Sequence, residues 1–220
     1  MKIAIIVVTA VLSAFAAQAI SQEVAGAERP VLKPGDSWTY QRIDDWKNAV
    51  KEKYTLTVST VSDKEIQLTR KSETSGKTMN VVQNPDLNIL AGSILAIGSA
   101  NTYSPNSGIY DFPLTVGKTW DAKSDFVVPK FDRTGSYKLN AKVVGWEKVK
   151  VPAGEFDALK ISEDGFYRST QNGYTGTGSM GITFWYAPAI KAMVKTRYED
   201  TWNGSLDKRV TLELLGYKVN

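Results

Sequence analysis

The side chains with which this sequence could do chemistry are almost all carboxylates and amines. It holds no histidine and no cysteine, which excludes a Ser-His-Asp triad, a thiol nucleophile and an ordinary zinc site. Acids occur as adjacent pairs at Asp44-Asp45, Glu163-Asp164 and Glu199-Asp200. Neighbours on a strand point to opposite faces, so no such pair can by itself form the two-carboxylate centre of a glycosidase. Asp132, Asp157 and Glu163 could meet only through the fold, as could many other triplets. Calcium would need oxygen ligands at D-x-[DN]-x-[DN]-G spacing, and no loop carries it. The sequence yields no catalytic residue, no metal ligand and no cofactor motif.

Aromatic residues are the better candidates. Six tryptophans and ten tyrosines supply rings with an apolar body and a polar tip, suited to sugars, lipid chains and wet interfaces. Trp185 is flanked on its own face by the small Thr183 and Ala187, and Tyr198 lies on one face of a half-buried strand with Val194 and Trp202. Trp120, Trp185 and Tyr198 are the candidate ligand-contacting residues. A further apolar segment, Asp86 to Ala100, lacks alternation and places Leu87, Leu90 and Ile94 at helical spacing after Pro85. The spacing predicts a short helix, either a plug in one end of a barrel or a lid with Gly92 and Gly98 as hinges.

Those residues must be carried by strands. Tyr54, Leu56 and Val58 alternate with Thr55, Thr57 and Ser59, and Tyr137 to Val143 and Val210 to Leu214 repeat the pattern. Period two puts one set of side chains on a core and the other in water. Turn chemistry separates the runs at Ser62-Asp63-Lys64, Ser75-Gly76-Lys77, Asn172-Gly173 and Asn203-Gly204. The fold class is therefore all-β: an antiparallel meander forming a curved sheet or partly closed β-barrel, with one short helical insertion at 86–100.

The N-terminus addresses the chain. Lys2 precedes an apolar run from Ile3 to Ala17, and Ala17-Gln18-Ala19 matches a signal-peptidase site. We read 1–19 as a signal peptide, 20–30 as a flexible lead-in and 31–220 as one β domain with no transmembrane span after processing. Its location is then periplasmic or secreted. A formal net charge of +4 without a basic run gives no case for nucleic acid. Pro34 to Trp38 and Val116 to Trp120 echo one another, and each is followed by a Tyr-x-Leu strand, at Tyr54 and Tyr137. The echo predicts two related halves, 31–109 and 110–220.

Val151-Pro152-Ala153-Gly154-Glu155-Phe156-Asp157-Ala158 has the form V-P-A-G-x-F-x-A, and Phe184-Trp185-Tyr186-Ala187-Pro188 follows it. With Gly117 to Trp120, this order resembles a group of exported bacterial β-rich proteins of unknown function. The resemblance implies an envelope location and a curved β architecture, and brings no activity with it. The functional expectation is a non-catalytic envelope protein binding a lipid or other apolar or amphiphilic ligand in a concave β face. Its rival is an interaction or structural module that docks on an envelope protein partner or a cell-wall glycan. A carboxylate-based hydrolase is the least favoured reading.

Overall fold

The computed structural model describes residues 26–94 and 101–220. The signal-peptide reading and the first part of the lead-in, 20–25, fall outside the described residues. Alternation of apolar and polar residues becomes a wall in which each strand pairs antiparallel with the next. In order these are β1 (Ser37–Asp44), β2 (Ala49–Val61), β3 (Ile66–Ser72), β4 (Thr78–Gln83), β5 (Ile89–Ala91) and β6 (Thr102–Ser104). Then follow β7 (Thr119–Val128), β8 (Arg133–Val151), β9 (Gly154–Gln171), β10 (Tyr174–Ala187), β11 (Ala192–Trp202) and β12 (Ser205–Lys218). Strand β12 returns to pair with β1, so the meander closes completely into a barrel.

The period-two sets take the predicted faces. Tyr54, Leu56 and Val58 are buried inside, as are Leu139, Ala141 and Val143, while Lys138, Asn140 and Lys142 are exposed on the outer wall. An apolar lumen inside a charged exterior is the reverse of a barrel that lives in lipid, where the apolar band faces outward. Among the described residues no helix is long and apolar enough to cross a membrane. The two-residue turns Asn172-Gly173 and Asn203-Gly204 take positive φ at both positions, as their strand twist requires.

The hairpin tips at one end, between β1 and β2, β9 and β10, and β11 and β12, surround a mouth. The opposite end is packed solid. There Tyr110 stacks on Phe112 at 5.4 Å and meets the edge of Tyr186 at 5.6 Å. The Trp38 indole donates to the Ile190 carbonyl at 2.8 Å, and the Tyr40 hydroxyl to that of Met193 at 2.8 Å. Leu114 is fully buried beside Ala27, with which it forms an isolated bridge.

Two opening turns at this end are built alike. Gly35, at φ 89°, donates to the Val58 carbonyl, and Gly117, at φ 88°, donates to that of Val143. Val58 and Val143 return bonds to the carbonyls of Asp36 and Lys118. Each turn leads into the first strand of a six-strand run, β1 to β6 or β7 to β12. The proposal of two related halves, 31–109 and 110–220, rests on this shared construction.

The helical expectation for 86–100 is corrected over 86–94, and 95–100 lie outside the described residues. Leu87 adopts φ 62° in a turn closed onto the Asn84 carbonyl, and Ile89 to Ala91 form β5. The cause is local competition. The Asn84 side chain accepts from the Asn88 amide at 2.9 Å, and the Asn88 side chain exchanges two 2.8 Å bonds with the Tyr110 backbone. Asparagines that satisfy backbone groups in this way favour turns over helix. Among the described residues helical structure is limited to two three-residue 3-10 turns, Pro129–Phe131 and Pro188–Ile190.

Asp36 fastens the chain ends where the barrel closes. Its carboxylate, 0% exposed, accepts from the Lys33 amide at 2.9 Å and from the Asn220 amide at 2.8 Å, with Lys191 Nζ at 3.4 Å. Burial opposes ionisation, but these donors together hold the carboxyl below its usual range. A depressed carboxyl contributes stability above its unfolded pKa, about 3.9, and loses it as pH falls through the folded value. Asp36→Asn is expected to cost about 1–3 kcal/mol at pH 7. Urea unfolding at several pH values should show that deficit shrinking below about pH 4. A deficit that stays constant with pH would show that Asp36 does not act through its charge.

Candidate functional site

Above the packed end the lumen is hollow. A cavity of about 340 Å³ lies between the strands, and Ile89, Ile109, Leu139, Ile182, Phe184 and Leu212 supply much of its apolar wall. Its size falls in the range of about 300–1,000 Å³ common for small-molecule sites. Close approach of rings to backbone keeps this half open. A Cβ on Gly178 would lie 2.4 Å from the Tyr167 ring, and one on Gly135 would lie 2.6 Å from that of Phe126. Both rings therefore lie against the wall in place of filling the lumen.

Polar groups enter the cavity at a few points. Glu163, on β9, is 1% exposed, and its Oε1 has no hydrogen-bond partner among the described residues. Burial pushes its carboxyl well above the usual range, favouring the protonated form. Asp200, on β11, accepts the Tyr167 hydroxyl at 2.7 Å and the Tyr198 hydroxyl at 3.0 Å, with Lys208 at 3.7 Å. Burial, then the Asp200 charge, raise the Tyr198 phenol well above its usual value. Both Asp200 oxygens thus accept from tyrosines, an arrangement that positions their rings.

Arg133 stands at the mouth, donating to the Ser169 hydroxyl at 3.0 Å. Its guanidinium lies 5.6 Å from the centre of Phe126, 5.5 Å from Tyr167 and 5.6 Å from Trp202. Opposite, Arg42 on β1 reaches the cavity beside Glu52 and Arg70. Ser93, Ile94 and Asn101 also line the cavity, and the Gly92 amide donates to the Asn101 carbonyl at 2.8 Å. The ends of the 92–101 segment are thereby held together on the wall.

The residues singled out in the sequence disperse. Tyr198 faces the cavity. Trp120 lies half-buried against the core, donating to the Gly108 carbonyl at 2.9 Å outside the cavity lining. Trp185 is 6% exposed and donates to Glu147 Oε2 at 2.7 Å, with Lys160 and Arg197 at the ring, while its neighbour Phe184 lines the cavity. Of the segment at 86–100, Ile94 lines the cavity, Leu87 lies buried near Trp38 and Tyr40, and Leu90 is half-buried on β5 next to the cavity-lining Ile89. Arg42, Arg133 and Glu163 were not singled out as cavity residues. Each stands in phase with inward apolar positions of its strand, a signal present in the sequence. Among the described residues no three acids come together to hold a metal.

No protein-family model matches the chain, and no curated protein matches it in sequence. Solved structures do share its architecture. A Bacteroides fragilis protein of inferred export, with a YmcC-like fold, aligns at TM-score 0.55 and 16% identity over 88% of this chain and 100% of that one. A Parabacteroides distasonis protein inferred to be a lipoprotein aligns at TM-score 0.48 and 16% identity, over 88% of this chain and 100% of that one. The hypothetical lipoprotein YmcC from Escherichia coli K12 aligns at TM-score 0.42 and 12% identity, over 83% of this chain and 84% of that one. At such identity the first likeness is one of fold.

Glu163 makes the state of the cavity measurable. A carboxyl whose folded pKa is raised costs stability as pH rises above its unfolded pKa, about 4.3, because the native state must keep a proton or bury a charge. Glu163→Gln removes that cost. The variant is expected to gain stability relative to the parent chain between pH 5 and pH 8, read by urea midpoints at each pH. A gap between the two chains that does not change with pH would place an ionised Glu163 in the fold.

Proposed function

We propose that the protein is an exported, non-catalytic envelope protein that holds an apolar or amphiphilic molecule, such as a lipid, inside its barrel. The observation that carries this reading is the cavity of about 340 Å³, walled by aliphatic and aromatic side chains with a few polar groups. Such a lining favours an alkyl chain or ring system through the area it removes from water. Export is supported by the N-terminal signal read from Lys2 to Ala19. Ile94 lines the same cavity, and a lid role for it is part of this proposal.

One observation favours docking on a partner. Phe166 is 75% exposed on the outer wall, in a shallow groove with Lys123, Lys138 and Arg168. Isolated exposed rings are ordinary on protein surfaces, so the cavity outweighs it.

The test is native mass spectrometry of the mature protein from its own envelope fraction, without detergent. A mass excess that disappears on denaturation and extracts into organic solvent is expected. An unliganded mass, together with no uptake of a hydrophobic dye, would overturn the reading. Ile182→Trp should fill the lumen and weaken dye binding by about tenfold or more, with a stability change of about 1–3 kcal/mol. Phe166→Ser, on the outer wall, should leave dye binding unchanged. The reverse pattern would move the binding surface outside.

A further inference from the structure

The Arg42 guanidinium is an unusual group to find in an apolar cavity. Arg42 is 7% exposed and lines the lumen, and its buried Nε has no hydrogen-bond partner among the described residues. Its nearest acid is Glu52, with Nε 3.8 Å from Oε2. That same oxygen accepts a 2.9 Å bond from Arg70 Nη2. Arg70 is further held by its stack over Tyr54, 3.9 Å from the ring centre, and the Tyr54 hydroxyl donates to the Ile94 carbonyl at 2.9 Å. Glu52 is therefore engaged by Arg70, and Arg42 is left with the weaker share of one carboxylate.

The charges do not balance. Arg42 and Arg70 bring two positive charges and Glu52 one negative, so the buried cluster carries a net charge of about +1. Asp44, the other acid acting on Arg42, is more exposed and lies 3.9 Å from Lys51. Burial and the neighbouring Arg70 press the Arg42 pKa down, with Glu52 working against them. A guanidinium remains charged under such pressure, because its pKa starts above about 12. An uncompensated charge in a low-dielectric site is costly, and a bound anion would relieve the cost.

We propose that Arg42 is the head-group site of the lumen, and that the barrel takes an anionic amphiphile whose carboxylate or phosphate meets the Arg42 guanidinium while its apolar chain lies along the cavity. The planar fork of arginine suits either oxyanion through paired hydrogen bonds. Arg42 lies two residues from the mouth end of β1, so the head group sits toward the opening with the apolar wall below it. Arg133 and Lys208, also facing the cavity, add positive potential there, and Asp200 offsets part of it. This inference rests on the lumen being the ligand site, and its test separates the two.

Binding of dodecanoate, dodecyl phosphate and dodecanol to the delipidated full chain is measured by displacement of a hydrophobic dye. At least one of the two anions is expected to bind about tenfold tighter than the alcohol, the scale of one charge-assisted pair. Whichever anion is the tighter identifies the head group. In Arg42→Met that preference should vanish with dodecanol binding retained, and Arg42→Lys should keep part of it. The lysine variant also provides a reading if the methionine variant does not fold. Equal affinity of the parent chain for all three would overturn the head-group assignment and leave the lumen as the site. An anion preference that survives unchanged in Arg42→Met or Arg42→Lys would overturn it likewise. No binding of any of the three would remove both the assignment and the reading beneath it.

Discussion

A meander has two free edges unless its first and last strands find one another, and the ladder between β1 and β12 removes them here. Its register runs from Ser37 opposite Lys218 to Asp44 opposite Val210, shifting between Thr39 and Tyr40. Everything in the lumen depends on that register. Trp38, Tyr40 and Arg42 point inward together because they are spaced by two, and a slip of one residue would turn all three outward. The Asp36 carboxylate sits at the beginning of this ladder and holds Asn220, just beyond its end. Its complete burial is tolerable because every nearby donor converges on it, and the geometry of closure is fixed in return.

Closure gives a tube, and side-chain size decides which part is filled. Toward the packed end the inward positions are large, as with Trp38, Tyr40, Tyr110, Phe112 and Tyr186, and the Trp38 indole and Tyr40 hydroxyl find backbone acceptors across the lumen. Toward the mouth, glycines such as Gly135 and Gly178 let rings lie against the wall. Interiors normally pack to crystal-like density, since an empty space forfeits dispersion contacts on all its walls. A cavity of about 340 Å³ is thus a departure that the aromatic-rich end must offset. The division of the tube into a filled half and an open half lets a small β domain be both stable and partly hollow.

Much of this was legible in the sequence, because alternation and turn chemistry are local. Tyr54 to Val58, Tyr137 to Val143 and Val210 to Leu214 declare their inward faces, and the Asn-Gly pairs at 172–173 and 203–204 declare their hairpins. Closure was not legible, since it depends on β1 and β12 meeting across the whole chain. Helical spacing at Leu87, Leu90 and Ile94 misled because Asn84 and Asn88 outweigh it through hydrogen bonds, two of them with distant Tyr110. Aromatic type was a weaker guide to the cavity than phase. Trp185 lies one residue out of step with the cavity-lining Phe184 and packs against Glu147, whereas Tyr198 is in step. Phase also marks the charged residues. Arg42 follows Trp38 and Tyr40 by twos, Glu163 follows Leu159 and Ile161, and Asp200 follows Tyr198.

A charge written in phase with a core is a cost that folding alone does not require. Asp200 is accounted for structurally, because two tyrosine hydroxyls and Lys208 surround it. Burial shifts Glu163 toward its protonated form, which lessens the charge buried there. The arginine cluster does neither. A single Arg70–Glu52 pair would satisfy Tyr54 and the wall, and an apolar residue at position 42 would pack the lumen with no charge to compensate. The barrel's own stability therefore does not call for the second arginine, and the proposed head-group role supplies a reason for it. It sits in the one part of the tube that is left open, on a strand fixed by the closure ladder. That placement sets the excess charge at the open cavity, where the proposed anionic head group would meet it.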